Sequence, residues 1–95
     1  MKDVAFSPAA EADLDEIWDY SASRWGPDQA DSYIDAIRDA CHDLARGTKQ
    51  GHPAEVLPDV QKYPCGSHMV YFLVYTNHLN VIRILHQRQD AEHHL

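Results

Sequence analysis

Val81-Ile82-Arg83-Ile84-Leu85-His86 is an apolar run broken by a single arginine and closed by a histidine, with Gln87-Arg88-Gln89-Asp90 directly behind it. Its β-branched content and short length predict a strand. A cation inside such a strand is costly to bury alone, so Arg83 is expected to face a groove, a partner or a carboxylate. Upstream, His68 to Tyr75 is a second β-rich run of Val, Tyr and Phe, and Thr76-Asn77-His78-Leu79-Asn80 supplies turn chemistry between the two. A further strand is expected over Val60 to Tyr63, stopped by Pro64-Cys65-Gly66. These three strands form a meander.

The first half of the chain reads differently. Val4-Ala5-Phe6 is a short first strand, and Ser7-Pro8 is an N-cap followed by proline at the first helical position. Ala10, Leu14, Ile17, Trp18 and Ser21 recur at helical spacing, and Glu11, Asp13, Asp15, Glu16 and Asp19 are assigned to the opposite, solvated face. Trp25-Gly26-Pro27 ends this helix and opens a second, whose buried stripe is Ala30, Tyr33, Ile34, Ile37, Cys41, Leu44 and Ala45. Asp28, Asp31, Asp35, Asp39 and Asp43 run down its other side, Asp35 within reach of Arg38 at i,i+3, and Gly47 is the natural C-cap. Residues 47–59 have no period and contain two glycines and two prolines, a loop long enough to be functional or mobile. The expected fold is α+β: an N-terminal strand, then a two-helix antiparallel hairpin packed on one face of an antiparallel sheet that the C-terminal three-strand meander completes.

Ninety-five residues are expected to form a single domain over 1–95. No run approaches the roughly 18 apolar residues of a membrane span and no signal pattern opens the chain, so a cytoplasmic protein without membrane contact is expected. Cys41 reads as a buried thiol, and two cysteines make neither a disulfide framework nor a zinc site. Residues 8–46 hold ten acids and three bases, whereas the remainder is balanced. Such a chain is a poor binder of phosphate backbones, and no direct stable nucleic-acid binding by the chain alone is expected. His86, His93 and His94 lack the spacing of a metal site, and neither metal nor cofactor is implied.

Strand alternation assigns the faces. Val70, Phe72 and Val74, with Ile82 and Ile84, are placed against the helices. Met69, Tyr71, Leu73, Tyr75, Val81 and Leu85 fall on the second face with Arg83 in their middle. An open face of this composition resembles an interface, so Met69, Tyr71, Leu73, Tyr75, Arg83 and Leu85 are the candidate partner-binding residues. The competing expectation is that the long loop or the first strand's flank folds over them. The tail Asp90-Ala91-Glu92-His93-His94-Leu95 either frays or joins Arg88 in a second binding surface, with Arg88, Asp90, His93, His94 and Leu95 as candidates.

Four segments carry a resemblance. Ala12-Asp13-Leu14-Asp15-Glu16-Ile17-Trp18-Asp19-Tyr20 resembles the first helix of ParE-type toxins. Arg24-Trp25-Gly26 with Ala30 and Tyr33 resembles the family's helix turn and second helix. Gly66-Ser67-His68-Met69-Val70-Tyr71-Phe72 resembles its Gly-x-hydrophobic-x-Tyr strand, and Arg83-Ile84-Leu85-His86 its ending. Together they cover nearly the whole chain, in order. The resemblance implies the toxin of a type II toxin-antitoxin system. It further implies a hetero-oligomer with a ParD-like antitoxin, expected to cover the open sheet face and the helical hairpin, and DNA gyrase as the target, which the tail candidates are expected to help bind. The alternative within the RelE/ParE superfamily is a RelE-like ribosome-dependent mRNA endoribonuclease. Such enzymes group Lys and Arg with a C-terminal Tyr or His; here only Lys62, Arg83, His86 and Arg88 could serve, and no tyrosine follows Tyr75. A non-toxic binding module of the same fold is the third reading. The ParE reading implies no catalytic residue: the protein is expected to act by binding.

Overall fold

The computed structural model describes residues 2–89 and 91–95. The elements run β1 (Asp3–Phe6), α1 (Pro8–Trp25), α2 (Pro27–Arg46), β2 (His52–Pro53), β3 (Gln61–Cys65), β4 (His68–Val74), β5 (His78–His86) and α3 (Ala91–His94). The sheet order is β1-β5-β4-β3-β2, and β3, β4 and β5 form the expected meander. β1 lies parallel to β5, so the sheet is mixed rather than wholly antiparallel. The helical hairpin crosses from β1 to the meander, and that connection places β1 alongside the last strand.

Local chemistry sets the helix ends. Ser7 Oγ accepts from Ala10 N at 3.0 Å and Pro8 holds the first helical position. Gly47 closes α2 in the left-handed region at φ 81°, and its N–H meets the Asp43 and Leu44 carbonyls. Between the helices, Trp18 Nε1 donates to Asp31 Oδ1 at 2.7 Å. Arg38 approaches Glu11 at 3.8 Å and sits over the Phe6 ring, so its recorded carboxylate contact is with α1 and not with Asp35.

Two apolar clusters lie on opposite faces of the sheet. The larger, under the hairpin, joins Ala10, Leu14, Ile17, Ile37, Cys41 and Leu44 to Val70, Phe72, Leu79, Val81 and Ile84. Cys41 is fully buried as expected, which pushes its thiol up to about 12. The smaller joins Tyr71 and Leu85 to Ala54 and Val60, with Met69, Leu73, Ile82, Ala91 and Leu95 packed around them.

The face assignment made by simple alternation fails in β5. Tyr71 pairs with Arg83 and Phe72 with Val81, so a bulge leaves Ile82 without a partner across the ladder. One extra residue shifts the side-chain phase. Val81 therefore lies under the helices with Ile84, and Ile82 turns to the second face with Leu85. Val74, expected against the helices, is 42% exposed near the end of the sheet.

Candidate functional site

Beyond Val81, β5 has no strand on its β1 side, because the β1 pairing ends there. The start of α1 takes over that edge. Ser7 N donates to the Val81 carbonyl at 2.9 Å, Ser7 Oγ donates to the Ile82 carbonyl at 2.7 Å, and Asp13 Oδ2 accepts from Ile84 N at 2.9 Å. Asp13 thus supplies the acceptor that a neighbouring strand would have provided. The same carboxylate holds Arg83 in a two-pronged pair, Nε to Oδ2 at 2.7 Å and a terminal nitrogen to Oδ1 at 2.8 Å. This pairing keeps the guanidinium charged and raises its pKa above the usual arginine value. Its other terminal nitrogen donates to the His94 carbonyl at 2.9 Å.

Arg83 therefore meets a carboxylate, one of the three surroundings expected for it, and that carboxylate belongs to its own chain. The placement of Asp13 is corrected: it is 8% exposed, not on the solvated face. The sequence signal was present, since Asp13 lies three residues after Ala10 and four before Ile17, both on the buried stripe.

Next to this pair runs a groove of about 590 Å³ between the hairpin and the ends of β4 and β5. Ile17 and Ile84 line its apolar part, and Tyr20 and Trp25 line it from α1. Those two rings meet edge to face at 6.3 Å, each 56% exposed, with Arg24 over both. His68 and His86 line it from the sheet, their rings edge to face at 5.3 Å. Tyr33 Oη accepts from Ser67 N at 2.9 Å and lies 2.7 Å from His68 Nδ1. Gly66 allows this approach: it sits at φ 60°, and a Cβ there would lie 2.6 Å from Tyr33 Oη. Burial, then the neighbouring His86, lowers the His68 pKa below its ordinary value, with Asp13 acting weakly against them. Sequence reading passed over Tyr20, Trp25, Tyr33 and His68 as binding residues because their convergence depends on the hairpin's position over the sheet.

The proposed partner-binding face is only partly open. Tyr71 and Leu85 are 8% and 1% exposed, covered by Ala54 and Val60 of the loop and flanked by Ala91 and Leu95 of the tail. The competing expectation, that the loop folds over this face, holds for these two residues. Met69 and Leu73 are half-buried. Tyr75 is 45% exposed and stacks on His78 at 4.5 Å; with Leu57, Leu73 and Val74 it lines a second concavity of about 860 Å³. In the tail, α3 forms one turn and Leu95 packs on the second cluster rather than fraying. His93, His94 and Arg88 are exposed, and Arg88 N donates to His86 Nδ1 at 3.2 Å. Asp90 lies outside the described residues.

Residues 4–91 match the family described as the ParE toxin of the type II toxin-antitoxin system parDE. The chain belongs to the ParE toxin family. It is 38% identical over 91 residues to Toxin ParE1 of Mycobacterium tuberculosis, a match covering 94% of this chain and 93% of that protein. It is also 38% identical over 96 residues to Toxin ParE1 of Caulobacter vibrioides, covering 100% and 99%. A chain of the chromosomal ParDE system from P. aeruginosa shares the fold at a TM-score of 0.79 and 24% identity, covering 90% of this chain and 96% of that one. The YoeB dimer from Staphylococcus aureus has the same fold at 0.61 and 14% identity, covering 90% and 97%. The chain therefore shares its fold with a more distant protein as well, and no helix of the described residues is long and apolar enough to cross a membrane.

Proposed function

We propose that this ParE-family toxin inhibits DNA gyrase by binding it, with no covalent chemistry of its own, and that a ParD-like antitoxin neutralises it in a hetero-oligomer. The observation that carries this reading is the near full-length match to ParE toxins. The commitment of Arg83 supports the non-enzymatic part. A RelE-like ribonuclease built on Arg83, His86 and Arg88 would need a free guanidinium near the phosphate, and here Asp13 engages two of its three nitrogens.

The antitoxin surface we propose is the second face: Leu73 and Tyr75 at its open end, with Leu57 and Val74 beside them, and Met69 at the far end of β4. An amphipathic arm laid there would cover the exposed apolar side chains that the loop leaves uncovered. Tyr71 and Leu85 support this surface from beneath, whereas Arg83, paired with Asp13, lines the groove instead. Arg88, His93, His94 and Leu95, with Asp90, remain the proposed gyrase-facing group.

The test is a gyrase supercoiling and cleavage assay with the purified chain, with and without the antitoxin encoded beside it. Loss of supercoiling with accumulated cleaved DNA, reversed by the antitoxin, is expected. No effect on gyrase from a folded, growth-inhibiting protein would overturn the target, and mapped mRNA cuts on ribosomes would then establish the endoribonuclease.

A further inference from the structure

Among the described residues five large apolar side chains are exposed, and three of them, Leu57, Val74 and Tyr75, line the concavity of about 860 Å³ between the loop and the end of β4. Its loop side is a pinned turn. Ala54 N donates to the Val60 carbonyl at 2.8 Å, Pro53 pairs with Gln61, and Ala54 and Val60 are each 5% exposed within the second cluster. Between them Val56 packs on that cluster, whereas Glu55, Leu57 and Asp59 stand exposed. Glu55 and Asp59 are the only charged residues lining the concavity, and neither forms a salt bridge among the described residues. The remaining exposed pair, Tyr20 and Trp25, differs: it carries its own cation, Arg24, over both rings.

We propose that this concavity receives an apolar side chain of the antitoxin arm that has lysine or arginine close to it on both sides. The apolar side chain lies against Leu57, Leu73 and Tyr75, and the cations meet Glu55 and Asp59. The proposal rests on the antitoxin reading given above and adds to it the chemistry of the segment that docks. An apolar floor rimmed by charge of one sign selects an apolar anchor flanked by the opposite sign. An acidic segment would meet like charge at both ends of the turn. A second copy of this chain, at a formal net charge of −7, is disfavoured for the same reason.

The two acids can be neutralised without disturbing the turn. Asp59 sits at φ 66°, in the left-handed region that asparagine also adopts, so Asp59→Asn keeps the backbone as it is. Glu55→Gln removes the charge of an exposed side chain and keeps its length. Exposed ion pairs are individually weak and are screened by salt, so their effect on affinity is modest and fades as ionic strength rises.

The experiment uses the full chain in two arms. In the first, NMR follows the Leu57 and Val74 methyl groups during titration with acetyl-Lys-Trp-Lys-amide, acetyl-Glu-Trp-Glu-amide and acetyl-Lys-Ser-Lys-amide. The first peptide is expected to shift both methyls at millimolar concentration, and the other two to bind about tenfold more weakly. In the second, calorimetry measures the antitoxin encoded beside the toxin. Glu55→Gln combined with Asp59→Asn is expected to weaken that complex about fivefold at low salt, with the difference gone at about 0.5 M salt. Tyr75→Ala is expected to weaken it about tenfold at either salt. Unchanged antitoxin affinity in Tyr75→Ala would overturn the surface itself. A loss in Tyr75→Ala with none in the double variant, or a Glu-flanked peptide that binds as well as the Lys-flanked one, would overturn the charge pattern alone. Self-association of the free chain that Tyr75→Ala abolishes would put a second copy in the concavity and overturn both.

Discussion

The two faces of the sheet are covered by different means. One lies under two long helices whose apolar stripes repeat every three to four residues, and it buries Val70, Phe72, Val81 and Ile84 almost completely. The other is covered by an irregular loop and a single helical turn, which bury Tyr71 and Leu85 but leave Tyr75 and Leu57 exposed. A helix buries a continuous stripe, whereas a loop covers a sheet in patches. The helical face therefore carries most of the burial, and the patchy face leaves apolar side chains in water.

The contrast can be broken most strongly at its hinge, the edge of β5. Asp13→Ala leaves the half-buried Arg83 and the Ile84 N–H without their acceptor. Unfolding by denaturant is expected to show a loss of about 3 kcal/mol, the low end for breaking a buried pair because Arg83 keeps some contact with water. On the second face, Tyr71→Ala is expected to cost a comparable ~3 kcal/mol in the free toxin, because the ring is core despite its neighbours' exposure. Tyr75→Ala sharpens the comparison: its stability should change by less than ~0.5 kcal/mol, while antitoxin affinity measured by calorimetry falls. Equal stability losses at Tyr71 and Tyr75 would erase the distinction between covered and open parts of this face.

A smaller effect is expected at the helix start. Ser7→Ala removes the cap on Ala10 N and the bond to the Ile82 carbonyl, and should cost about 1 kcal/mol.

The smallest expected effect concerns pH. Burial holds the folded His68 pKa below its ordinary 6.5, so the unfolded chain takes up this proton first as pH falls. The neutral ring's contribution is full above about 6.5 and is lost as pH drops from there toward the folded value. Thermal unfolding between pH 7 and 5 should therefore show a shallower loss of Tm in His68→Gln than in the parent chain.

Much of this division was legible in the residues. Ser7-Pro8, Gly47 and the stripe through Ile37 and Cys41 define the hairpin, because helix caps and helical period are local properties. β3, β4 and β5 were legible from their β-rich runs and turn residues. The bulge at Ile82 was not, since nothing local distinguishes a bulged from a regular apolar strand, and a single extra residue moved Val81 and Ile82 to opposite faces. The two-residue β2 was missed because its pairing to β3 comes from the loop's path rather than from any period. Asp13 was read by charge when its position on the stripe was the better guide. The groove needs side chains from α1, α2, β4 and β5 together, and no window of sequence contains all four.

Hydrogen exchange on the toxin with and without its ParD-like antitoxin tests the division between the two faces most directly. Added protection is expected in residues 53–62 and 69–75, around the open end of the second face, with little change along the solvent side of α1 and α2. Protection confined to the helices, with the loop and β4 unchanged, would contradict it.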